Sequence, residues 1–177
     1  MNIELTAGYT KLDDYTSSIL NSLSTINQEI LQDKPVENVW SVIQILDHLV
    51  QAEAMSLGYL EKKINGIEKV GTAGVRSRLG MLLLQLLMNG GRKFKAPKAV
   101  SQPDGQLTLE QVGIKWKEER QRLFTFLENY PEEHLDKAIY KHPVIGRISL
   151  VQMLGFFVVH IKHHEAQIKQ RLKNANA

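Results

Sequence analysis

Three segments of this chain begin with the same four-residue signal: Ser41-Val42-Ile43-Gln44, Thr108-Leu109-Glu110-Gln111 and Ser149-Leu150-Val151-Gln152. In each, a Ser or Thr hydroxyl can accept from the backbone N–H three residues on, while the Gln side chain reaches back to the first residue's N–H. Each precedes a long stretch whose apolar residues recur at helical spacing. The spacing predicts helices over 42–65, 109–129 and 150–173. An earlier run, with Tyr9, Leu12, Tyr15, Ile19, Leu20, Leu23 and Ile26 in register, predicts a first helix over 7–32. Asp33-Lys34-Pro35 stops it, because proline disfavours helix in the residue before it. Gly66 and Asn129-Tyr130-Pro131 are stops for the second and third. No strand pattern competes. Four long helices around one core predict an all-α fold, an antiparallel four-helix bundle with room for crossover connections.

Between the second and third helices lies Leu79-Gly80-Met81-Leu82-Leu83-Leu84-Gln85-Leu86-Leu87-Met88. Ten residues cannot cross a bilayer, which needs about twenty. The run reads as a short additional helix in the 73–90 region, packed on the bundle or making a dimer contact, and ended by Gly90-Gly91. From Arg92 to Gln106 the sequence reads as a loop, with Pro97, Pro103 and Gly105. The whole chain, 1–177, reads as one domain, long enough to bury a core.

Charge and cysteine content narrow the function classes. The net charge is +3, with basic residues gathered at Arg76-Ser77-Arg78 and around Arg92-Lys93-Phe94-Lys95. Nucleic acid is not the favoured partner, since no binding motif accompanies that charge. No spanning segment or signal peptide is visible, so a cytoplasmic location without a membrane partner is expected. The chain has no cysteine, which removes disulfides, thiolate nucleophiles and thiolate metal ligands together. A metal could be held only by nitrogen and oxygen.

Histidines supply the nitrogen. His160 and His164 lie four residues apart in the last helix, a spacing that puts both imidazoles on one face, one turn apart. On a helical wheel His164 falls inside the apolar arc of Leu150, Leu154, Phe157, Ile161 and Ile168, with His160 on its flank. His163 falls towards the polar side, and Gln167 and Arg171 continue the stripe of the His160–His164 pair. In the second helix His48 lies at the edge of the core face, Asp47 points towards solvent, and Glu53 falls near the centre of the apolar arc. Three histidines and an open position make a catalytic metal site. The same residues also read as packed, hydrogen-bonded histidines, and Glu53 as one end of an ion pair across the bundle. Trp40 and Trp116 read as core or helix-entry anchors.

Together these residues resemble the DinB/YfiT-like superfamily of four-helix-bundle metalloproteins. Trp40-Ser41 opening the second helix, His48 within it and Glu53 five residues on are similar to the family's first ligand helix. His142-Pro143-Val144-Ile145-Gly146-Arg147-Ile148-Ser149 is similar to the loop before the last helix. His160-Ile161-Lys162-His163-His164-Glu165-Ala166-Gln167-Ile168 resembles the segment with the two remaining ligands. The resemblance implies His48, His160 and His164 as ligands of a divalent transition metal, zinc first, with nickel, manganese or iron as alternatives.

It also implies a homodimer and a metal-dependent enzyme acting on a small molecule, either a hydrolase or a transferase with a low-molecular-weight thiol as cosubstrate. Glu53, Gln167 and His163 are the candidate catalytic residues, in that order, for supporting the ligands or moving a proton. Lys95 or Arg92 could meet a substrate carboxylate. The alternative is a non-catalytic metal-binding or stress-associated bundle protein.

Overall fold

A computed structural model of the chain describes residues 1–34, 36–37, 39–89 and 102–175. Its helices are α1 (Ile3–Leu23), α2 (Gln28–Gln32), α3 (Val42–Lys63), α4 (Val75–Asn89), α5 (Leu109–Glu128) and α6 (Leu150–Ala175). All three start signals form as the sequence requires. Gln44 N donates to Ser41 Oγ at 3.2 Å and Ser41 N to Gln44 Oε1 at 3.2 Å. The Thr108–Gln111 and Ser149–Gln152 pairs are reciprocal in the same way.

The expected first helix is in fact two. α1 begins earlier, at the Asn2 cap, whose side chain accepts from Glu4 N. It ends at Leu23, where Ser24 Oγ turns back to Asn21 O and Asn27 caps a new helix by accepting from Glu29 N. Short polar side chains compete with the helix for backbone groups, and four of them fall between Ser22 and Asn27. The stop at Pro35 lies outside the described residues. Gly66 does not cap α3 either: the chain tightens into a 3-10 turn, Ile64–Lys69, with Gly66 inside it.

α1, α3, α5 and α6 form the bundle, each packed on two neighbours: α1 on α6 and α5, α3 on α5 and α6. Their directions follow from the residues that meet. Leu20 lies against Gly113 and Thr16 meets Arg120, so α1 and α5 are antiparallel. Trp40 meets Arg171 and His48 meets His164, so α3 and α6 are antiparallel. The other two neighbours are parallel. Asp47 faces Lys115 and Glu61 faces Arg122 across α3 and α5; Gly8 lies against Leu154 and Tyr15 against Lys162 across α1 and α6. Parallel neighbours need a return connection, and between α3 and α5 the segment containing α4 makes it. α4 itself runs along the outside of α6, from the Ser77–Gln152 contact to the Met88–His163 contact. The loop's Gly90–Ser101 portion, with Arg92, Lys95 and Pro97, lies outside the described residues.

A short hairpin sits where no strand was expected. β1 (Tyr140–His142) pairs antiparallel with β2 (Gly146–Ile148) just before α6. Gly146 takes φ +80°, a conformation that disfavours any residue with a Cβ. Three-residue strands are too short to show alternation against the noise of a loop.

Asp47 corrects the wheel. It is 1% exposed, not solvent-facing, because its carboxylate anchors the segment before α5: it accepts from Asp104 N at 2.8 Å and Gln51 Nε2 at 2.6 Å. Gln44 Nε2 donates to Pro103 O beside it.

Candidate metal centre

His48 comes from the second turn of α3 and His160 and His164 from the middle of α6, so the antiparallel α3–α6 pair brings them together. Each offers a ring nitrogen, and the three nitrogens lie within 4.8 Å of one another. The rings form a nearly regular triangle, with centroids 4.7, 5.0 and 5.4 Å apart. His160 Nε2 and His164 Nε2 are 3.1 Å apart. Two nitrogens bound tetrahedrally to one zinc ion lie roughly 3.3 Å apart, so the spacing is that of a ligand pair.

Hydrogen bonds fix which nitrogen of His164 is bare. The Met88 carbonyl can only accept, so His163 donates to it from Nδ1, at 3.1 Å. The Gln167 amide nitrogen can only donate, so His163 Nε2 accepts from it at 3.2 Å. Gln167 Oε1 can only accept, so His164 donates from Nδ1 at 3.0 Å. The proton of His164 is therefore on Nδ1, and the Nε2 lone pair faces the other two histidines. Neutral imidazole with its second nitrogen tied to an oxygen is the form that binds metals.

The surroundings keep the two imidazoles of α6 neutral. Burial, then the neighbouring imidazoles of His164 and His48, hold His160 well below its ordinary value. Burial, then His48, push His164 down to about 3, although its bond to Gln167 opposes the shift. Two of the three donors are thus held neutral, and the three ring nitrogens are close enough together to fit a divalent transition metal.

Glu53 falls elsewhere. Five residues along α3 rotate Glu53 about 140° away from His48, towards α1 and α5. There its Oε1 accepts from Arg120 at 3.1 Å, its Oε2 accepts from Trp116 Nε1 at 3.2 Å, and Arg120 also lies 3.0 Å from Oε2. Glu53 is the ion pair that the sequence left open as its other reading, and it is held apart from the histidine triangle. His163 is not free on a polar face: it is wedged between α6 and the end of α4 by the bonds to Gln167 and Met88.

Further rings surround the triangle. The Trp40 ring lies 4.8 Å from His48, and the Phe156 ring stacks on His160 at 5.4 Å and meets His142 at 4.4 Å. His142 accepts at Nδ1 from Val144 N and Ile145 N, and burial pushes it down to about 4. The Met88 carbonyl is a backbone group, which no residue-type pattern can reveal.

The hydrogen-bond chain makes one prediction of its own. Gln167→Leu leaves the three histidines in place but removes the hydrogen bonds at His164 Nδ1 and His163 Nε2. Loss of such a supporting partner costs roughly 10–100-fold in metal affinity. Competition against a chromophoric chelator measures it, and an unchanged zinc affinity would show that the chain does not hold His164.

Known proteins resemble this chain in sequence and, for one solved structure, in fold. The chain is 24% identical over 150 residues to YuaE of Bacillus subtilis (strain 168), covering 85% of this chain and 88% of that one. It is 24% identical over 165 residues to a protein of Oceanobacillus iheyensis named "putative metal-dependent hydrolase", covering 93% and 83%. Among solved structures it matches YfiT from Bacillus subtilis, described as "a probable metal-dependent hydrolase with an unusual four-helix bundle topology". That match has a TM-score of 0.61 at 15% identity, covering 98% of this chain and 89% of that one. The profile of the DinB superfamily matches residues 11–168, nearly the whole bundle, and the chain belongs to that superfamily.

Proposed function

We propose that this protein is a divalent-metal-dependent hydrolase of small molecules, with His48, His160 and His164 as the metal ligands. The observation that carries the reading is the triangle of ring nitrogens within 4.8 Å, one of them held bare towards the centre by a hydrogen-bond chain of fixed direction. Three imidazole nitrogens suit zinc, and an ion so held would acidify a bound water and polarise a carbonyl or phosphoryl oxygen.

The chain's own residues set the conditions for that chemistry. Gln167 and His163 orient His164. Trp40 and Phe156 wall the triangle with apolar rings, which strengthens local electrostatics by excluding water. Glu53 supports the bundle rather than the reaction. The names borne by the Oceanobacillus iheyensis relative and by YfiT support hydrolysis over the transferase alternative. A transferase would have to draw its thiol from a cosubstrate, since the chain has no cysteine.

The test is a panel of small esters, amides and phosphoesters. It is run on untagged protein as purified, after chelation and after reloading with zinc, with and without small thiols. The expected result is hydrolysis that needs no thiol, disappears on chelation and returns with metal. Turnover only in the presence of a thiol would replace hydrolase by transferase. A metal-loaded protein inert in every arm would make the site a non-catalytic one.

A further inference from the structure

Helix α4 packs on α6 by one side only. Ser77, Leu84 and Met88 are buried there, while the opposite side shows Val75, Leu79, Leu82, Leu83 and Leu86, each between 55% and 71% exposed. At about 100° per residue these five fall within an arc of roughly 100°. Arg76 follows one edge of that arc and Arg78 the other, and both are exposed. The β1–β2 hairpin continues the surface. β2 packs against α4, with the α4 backbone at Gly80 close enough that a Cβ there would sit 3.2 Å from that of Ile145. Val144, 57% exposed, adds an apolar residue at the turn, and the cross-strand pair Lys141 and Arg147 adds two exposed cations. No acidic residue occurs between Glu68 and Asp104, although the chain as a whole carries nineteen.

We infer that this face of α4 docks on the surface of an anionic phospholipid bilayer. A contiguous apolar patch of this extent marks an interaction site on a folded protein. An apolar arc rimmed on both edges by arginine is the arrangement of a helix lying in the headgroup region, where aliphatic side chains enter the acyl boundary and long cationic ones reach back to phosphates. The expectation of no membrane partner rested on crossing the bilayer, and a helix lying in the interface needs no spanning length. Charge complementarity selects lipid over a second copy of the chain. A two-fold self-contact sets the same patch against itself and supplies no counter-charge from within the patch to its cationic rim. An anionic surface pairs with every charge on it.

Vesicle sedimentation with the full-length protein tests this. Wild type is expected to pellet with vesicles of mixed phosphatidylglycerol and phosphatidylcholine, not with phosphatidylcholine alone, and to be released by high salt. Arg76→Gln should weaken binding roughly fivefold. Leu82→Ser and Leu86→Ser should each weaken it roughly tenfold. Because these side chains are exposed, circular dichroism and thermal unfolding should match wild type in every variant. Absence of binding to the anionic vesicles, or binding untouched by the leucine substitutions, overturns the proposal. So does a wild-type dimer that the same leucine substitutions break into monomers without any vesicle binding.

Discussion

Arg120→Met will destabilise the bundle by about 3–5 kcal/mol, the cost of leaving a buried charge without its partner. In a chain of this length that lowers the melting temperature by on the order of 10 °C. Arg120 is 3% exposed and Glu53 5%, and the guanidinium also donates to Thr16 Oγ1 at 2.8 Å, so one side chain ties α5 to both α1 and α3. Replacing both members, as Glu53→Leu with Arg120→Met, should recover most of the loss, because the double change removes the stranded charge along with its partner.

The single variant also acquires a pH signature. Burial already pushes the Glu53 carboxyl above its ordinary value, with Arg120 and Trp116 opposing it. Without Arg120 the folded-state value rises further. A raised carboxyl binds more protons folded than unfolded, so stability is fully present below the unfolded value near pH 4. It is lost as pH rises towards the folded value. Denaturant titrations at several pH values check both effects, and a loss under 1 kcal/mol with no pH dependence would show that Glu53 and Arg120 are not paired in the interior.

His48→Ala is expected to abolish tight metal binding while leaving the bundle folded. Two nitrogens four residues apart on α6 remain, but the third corner of the triangle comes only from α3, and a two-nitrogen site holds no ion firmly. Metal binding to the folded state alone adds stability by mass action, about 2.7 kcal/mol at a hundredfold excess over the dissociation constant. Wild type should therefore melt higher when zinc is added and the variant should not. His134→Ala is the control. His134 Nε2 lies 2.9 Å from Glu68 Oε1, beyond the far end of α3, and its removal should leave the zinc response intact. An equal zinc response in wild type and His48→Ala would remove α3 from the site.

What the sequence could show of this molecule follows from how local each feature is. The capping boxes and the apolar periodicity are written within a few neighbouring residues, so four bundle helices and the extra helix were legible. The histidine triangle was legible because His160 and His164 share one helix and the resemblance supplied His48. The partner of Glu53 was not. Which way a residue near the centre of an apolar arc turns depends on the neighbouring helices, and their up–down–down–up arrangement is a property of the connections. The same reason misplaced Asp47, whose burial comes from Asp104, a residue 57 positions later. His163 looked polar because its partner is the Met88 carbonyl, on a helix whose docking no local pattern encodes.

The central claim is that three histidines hold one metal ion. Metal content per chain, by elemental analysis of protein purified without a histidine tag, tests it most directly. The account predicts about one divalent transition metal per chain, lost in His164→Ala. Protein that carries none, and takes up none when zinc, nickel or manganese is added, would contradict it.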